Sequence, residues 1–114
     1  MRLEVLISFH LKSAANLREH WAVRSKRVRA EREAAHVVVR AAGGRGIKLP
    51  AKVTITRIAP RELDDDNLQA AAKGIRDGVA DGLGLAGDRH PGLTWIYKQE
   101  KGKPSAVRIE VEEE

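Results

Sequence analysis

"KVTITRIAPRELDDDNLQAAAKGIRDG", Lys52 to Gly78, changes its hydrophobic period at a proline. From Lys52 to Ile58 the residues alternate. Val53, Ile55 and Arg57 fall on one face, and Thr54, Thr56 and Ile58 on the other, the period-two pattern of a strand. Pro60 closes that strand. A helix begins near the aspartates. At about 100° per residue, Leu68, Ala72, Ile75, Val79 and Leu83 fall together and are expected in the core. Asp66, Ala70, Lys73, Asp77 and Asp81 fall opposite, and Gly82 or Gly84 ends the helix.

Working outward, Leu3 to Phe9 is apolar and β-branched enough for a strand. Leu17 to Ala42 is helical in pattern, with Leu17, Trp21, Val28, Ala35, Val38, Val39 and Ala42 near one stripe. Trp21 and Trp95 are therefore expected in the core. Ser13 or Asn16 is the expected cap, and such a helix would be ~39 Å long. Gly43-Gly44-Arg45-Gly46 ends it. After the second helix, "LAGDRHPG" reads as a loop, "LTWIYK" as a strand, "KGKP" as a turn and "AVRIEVE" as a final strand. The order is β-α-β-α-β-β. It predicts an α+β fold: a single domain with one mixed sheet and two helices packed on it. Residues 1–109 are expected to form the domain and 110–114 an acidic C-terminal tail.

The chain of 114 residues carries a net charge of +5, yet four of its last five residues are glutamates. A basic body with an acidic end points to a polyanionic partner, or to charge kept for solubility. Aromatics are only 4%, so Val, Ile, Leu and Ala must build the core. Without cysteine, disulfides, thiolate metal sites and cysteine nucleophiles are excluded. No apolar run approaches a membrane span, and the first residues are too charged for a signal peptide, so a cytoplasmic protein is expected. "AAGGRGIKLP" lacks the ending of a P-loop, so no nucleotide cofactor is expected. The histidines at 10, 20, 36 and 90 lack metal-binding spacing.

Two accounts of Asp64-Asp65-Asp66 stand. In one they cap the helix, for ~0.5–2 kcal/mol, and Lys73 and Asp77 form a solvent-exposed pair of little worth. In the other they bind metal. In an extended lead-in, Asp64 and Asp66 point to the same side. Mg²⁺ takes hard oxygen ligands, usually one or two carboxylates with water and phosphate oxygens. Asp88, in the loop after the helix, is the best-placed third carboxylate. Asp77 and Asp81 sit well along the helix, and Asp81 is expected to face solvent.

"DDDNL", the lysine-bearing helix and the later aspartate resemble the RusA family of Holliday junction resolvases. "LKSAANLREHW" resembles the family's N-terminal segment, which precedes a long basic helix. The likeness covers most of the chain. It departs at Ala70, where the family lysine would fall, with Lys73 three residues later, and at the loop, where a single Asp88 stands in place of paired acids. The resemblance implies a Mg²⁺-dependent endodeoxyribonuclease, with Mn²⁺ as the alternative ion, that resolves four-way DNA junctions by paired nicks as a homodimer. It implies metal ligation by Asp64, Asp66 and Asp88, and transition-state charge stabilisation by Lys73. It also implies DNA contacts from Asn16, Arg18, His20, Arg24, Lys26, Arg27, Arg29 and Arg32. Open beside it are a non-catalytic basic DNA-binding module, a small scaffold for a protein partner, and a nuclease preferring other branched DNA.

Overall fold

The computed structural model describes residues 1–13 and 20–114. Strand β1 is Arg2–Ile7, helix α1 Trp21–Ala41, and a 3-10 turn Gly44–Gly46 follows. Strand β2 is Ala51–Ala59, helix α2 Asp65–Ala71 and helix α3 Lys73–Gly82. Strands β3, Leu93–Lys101, and β4, Ala106–Glu113, complete the chain. The expected α+β fold and element order hold. The second helix comes as two segments, so three helices accompany the sheet where two were expected. Ala72, at φ −89° and ψ 0°, separates the segments. Even so, the predicted inner face is intact: Leu68, Ala72, Ile75, Val79 and Leu83 are all buried.

The sheet is mixed, in the order β1-β4-β2-β3. β4 runs antiparallel to β1 and β2, while β3 runs parallel to β2 across the helical crossover. The register aligns rows of side chains on one face. Trp95, Val53, Val111 and Leu3 form one row, and Tyr97, Ile55, Ile109 and Val5 the next. Gln99, Arg57, Val107 and Ile7 form a third. The core is gathered from these rows together with Ala35 and Val39 of α1 and Ile75 and Val79 of α3. β2 has a neighbour on each side, and Thr54 and Thr56 are buried as well as Val53 and Ile55.

Helix α1 starts later than the hydrophobic stripe suggests. His20 caps it, its Nδ1 accepting from the Ala22 N–H at 3.2 Å. Ser13 lies outside the helix, and Asn16, Leu17 and Arg18 lie outside the described residues. At 21 residues the helix spans ~31 Å. Gly43, at φ +94°, supplies the left-handed turn after it. Trp21 is 73% exposed rather than in the core, because the helix's inner face narrows to Glu31, Ala35 and Val39. Trp95 is half-buried and packs against the core.

The expected acidic tail is largely strand. Residues 110–113 belong to β4, and Glu110 pairs with Arg2 at 2.7 Å. Glu113 accepts from the Lys48 N–H at 2.9 Å and pairs with the terminal amine. Alternation carried Val111 into the core, so its glutamate neighbours followed into the ladder.

α1 and α3 meet at their backbones. Gly74, Gly78 and Gly82 recur every four residues and so share one face of α3. A Cβ on Gly78 would sit 2.2 Å from the Arg32 carbonyl oxygen, and one on Gly74 2.9 Å from that of Val28. Gly78→Ala is expected to destabilise the fold by ~1–3 kcal/mol through overpacking, despite alanine's better helix propensity. Gly87, with open space around it, should tolerate alanine with no loss. Chemical denaturation of both variants checks this.

Candidate nucleic-acid interface and acidic cluster

β3 positions the segments that carry the candidate chemistry. Its inward residues alternate Trp95, Tyr97 and Gln99. The Gln99 amide accepts from the Leu63 N–H and donates to the Leu63 carbonyl, each at 2.8 Å. It thereby fixes the residue before Asp64. Trp95 Nε1 donates to the Asp88 carbonyl at 2.9 Å. One strand face therefore anchors both the entry to α2 and the loop after α3.

Asp64 stands at the cap position of α2 but makes no capping hydrogen bond, and Asp65 and Asp66 occupy the first turn. All three are exposed, and none makes an ion pair among the described residues. In a chain of net charge +5, three adjacent carboxylates are left without a cation among the described residues. Capping by a side chain does not explain them.

Asp88 is placed differently. Its Oδ2 accepts from Lys73 Nζ at 2.9 Å and from Arg76 Nε. Lys73 also reaches Asp77 Oδ1 at 2.7 Å, and Arg76 Nη1 donates to the Tyr97 hydroxyl at 3.0 Å. The Arg76 guanidinium lies 4.6 Å from the centre of the Trp95 ring, within cation–π range. Hydrogen bonding from Lys73, and then from Arg76, holds the Asp88 carboxyl at a pKa of about 2, against the opposing effect of burial. Burial works against the Lys73 ammonium, but its hydrogen bonds to Asp77 and Asp88 raise its pKa overall.

Among the described residues, no group of three or more His, Asp or Glu side chains is arranged to hold a metal ion. The expected gathering of Asp64, Asp66 and Asp88 is therefore not present in this structure. Two cations engage the Asp88 carboxylate instead. Asp81 also departs from expectation: it does not face solvent but accepts from Arg32 Nε at 2.7 Å and Nη2 at 3.0 Å, which lowers its pKa. Lys73 is held between Asp77 and Asp88, at 2.7 and 2.9 Å.

Asp64 stands at the cap position of α2 and Asp66 lies in its first turn, so the extended lead-in that was to point both to one side is absent. Each is still an exposed carboxylate without an ion pair among the described residues, and one or two carboxylates with water and phosphate oxygens satisfy Mg²⁺. Asp88, as placed, would have to leave Lys73 and Arg76 to join them.

The basic residues separate in the same way. Arg24, Lys26 and Arg29 are exposed on α1. Arg27 is half-buried, with Nη1 3.9 Å from the buried Glu31. Arg32 is committed to Asp81, and His20 caps the helix. A cleft of about 600 Å³ between α1 and the second helical pair is lined by Trp21, Arg24, Arg29, Arg32 and Lys73, with Asp77 as its acidic member. A second, of about 320 Å³, shares Ala70 and Lys73 and continues to Arg76, Asp88 and Arg89. Trp21, assigned to the core by its stripe position, is an exposed aromatic that lines the first cleft with Arg24 and Arg29. Its signal was its place in the first turn, where the stripe had not yet met the sheet.

No family model matches the chain. It is similar to an uncharacterized protein of Xylella fastidiosa (strain Temecula1 / ATCC 700964), 42% identical over 79 residues. The alignment covers 61% of this chain and 50% of that protein, so the chain spans about half the length of the relative it matches.

The Asp88 cluster has a pH signature. A carboxyl whose pKa is depressed on folding stabilises the native state above its unfolded pKa, and that stability is lost as pH falls through the folded value. For Asp88 the window runs from its ordinary value of 3.8 down to about 2. Acid unfolding of Asp88→Asn should therefore show less stability than the parent at pH 6 and a smaller further loss between pH 4 and 2. Equal pH dependence in the two proteins would mean that the pairing contributes nothing.

Proposed function

We propose that the chain is a cytoplasmic, Mg²⁺-dependent endonuclease that cuts branched DNA, four-way junctions foremost, as the RusA resemblance implies. The observation that carries the reading is a pair of clefts that share Ala70 and Lys73, one with exposed Trp21, Arg24 and Arg29 and the other with Arg76, Asp88 and Arg89. Basic side chains beside an exposed aromatic ring suit a nucleic-acid backbone and its bases. The phosphate contacts position the strand and carry no base identity. Asp64 and Asp66 hold the metal, which when bound supplies an activated water and neutralises phosphate charge. Asp88 would serve as a third ligand only if released from Lys73 and Arg76. Lys73, which lines both clefts, would then offset the charge that develops on the phosphate. Paired nicks on a two-fold junction call for a two-fold protein, hence a homodimer.

A second reading has its own support. Asp88 is neutralised by two cations, and Ala70, which lines both clefts, stands where the family has its lysine. Those features favour a DNA-binding module without catalysis. Incubation with a labelled synthetic four-way junction separates the two. The nuclease reading predicts Mg²⁺-dependent cleavage, lost by more than ~100-fold in Asp66→Asn, beyond what removing a residue that only supports a ligand typically costs. Junction binding should persist in that variant. Binding with no cleavage in Mg²⁺ or Mn²⁺ would establish the module reading instead.

A further inference from the structure

Arg57 occupies a place where the pattern of β2 calls for an apolar side chain. It follows Val53 and Ile55 on the inward face, in a row with Val107 and Ile7, and is only 4% exposed. A buried charge is costly unless it is paired. Arg57 Nε donates to the Leu11 carbonyl at 2.9 Å and Nη1 to the Arg61 carbonyl at 2.6 Å. Both acceptors are neutral, and no carboxylate pairs with the guanidinium among the described residues. Arginine does not give up its proton in proteins, so the charge has no counter-ion among the described residues.

The guanidinium borders a cleft of about 510 Å³ at the end of β2. Lys12, Ser13, Arg61 and His10 also line it, and among the described residues no acidic one does. Ser13 is buried, and its hydroxyl has no hydrogen-bond partner among the described residues. Burial, and then the charges of Arg57 and Lys12, push the His10 imidazole toward its neutral form, and its Nδ1 lies 2.9 Å from the Ser105 hydroxyl. Three cations and an orphaned hydroxyl thus line one cleft.

We propose that this cleft binds a phosphate group, held by Arg57, Arg61 and Lys12 with the Ser13 hydroxyl as a further donor. A guanidinium fork with a lysine point charge suits the several acceptor oxygens of phosphate. Leu63 also lines the cleft, and Asp64 is the next residue, so the bound phosphate lies beside the acidic cluster. The group is either a DNA backbone phosphate, in which case the placement rests on the nuclease reading, or free phosphate.

Calorimetric titration of the full chain with inorganic phosphate, without metal or DNA and against chloride at matched ionic strength, tests the pocket. Saturable binding is expected, at least ten-fold weaker in the double variant Lys12→Gln/Arg61→Gln. Both side chains are exposed, so the variant should fold, as circular dichroism will check. Phosphate heats no greater than those of chloride, or an unchanged affinity in the double variant, would overturn the proposal. Competition then separates the sources. Phosphate that displaces a fluorescent duplex from the parent, but not from the double variant, assigns the pocket to backbone phosphate. Phosphate that binds without displacing DNA assigns it to free phosphate. Neither outcome depends on whether the chain cleaves DNA.

Discussion

The parallel pairing of β3 on β2 is the constraint on which the candidate site depends. Parallel neighbours need a crossover, and α2, α3 and their loops supply it. The register then sets Trp95 beside Val53, Tyr97 beside Ile55 and Gln99 beside Arg57. A slip by one residue would turn all three to the other face. As placed, Gln99 holds the backbone before Asp64, Tyr97 holds Arg76, and Trp95 holds the carbonyl of Asp88. Two loops distant in sequence are thus carried by alternate residues of one strand.

Against that scaffold the charges fall into two groups. Asp77, Asp81 and Asp88 are neutralised by Lys73, Arg32 and Arg76, and they tie α3 to α1 and to its following loop. Asp64, Asp65 and Asp66 are paired with no cation among the described residues, and Arg24 and Arg29 on α1 are exposed. Surface pairs such as Lys73–Asp77 contribute little to stability, whereas the Arg76–Asp88 pair is largely withdrawn from solvent, so phosphate and metal contacts have to offset its loss. The glycine face of α3 matters here too. By letting α1 approach to backbone contact, it brings the basic helix close enough to share a groove with Lys73.

Much of the fold was legible in the sequence. The switch of period at Pro60 marked strand and helix, and the wheel from Leu68 to Leu83 identified a face that is buried throughout. What was not legible came from tertiary contacts. Nothing local says that His20 caps α1 or that Trp21 lies beyond the reach of the sheet, whereas the alternation of "AVRIEVE" already carried the last strand through Glu110 and Glu112. Gly74, Gly78 and Gly82 did carry a signal, their four-residue spacing, which points to a close helix contact. The acidic cluster was readable as chemistry. The partners of Asp88 were not, because Arg76 meets it only once α3 and the loop have both packed against β3. Arg57 was visible as the one charge in an apolar row, but its lack of a counter-ion emerges only with burial.

The central claim is that Asp64 and Asp66 form a cation site that Asp88 joins when DNA is bound. Paramagnetic broadening by Mn²⁺ in amide NMR spectra tests it directly. The account predicts selective broadening at residues 64–67 in the free protein, extending to Asp88 when junction DNA is added. Broadening absent from residues 64–67, with and without DNA, would contradict it.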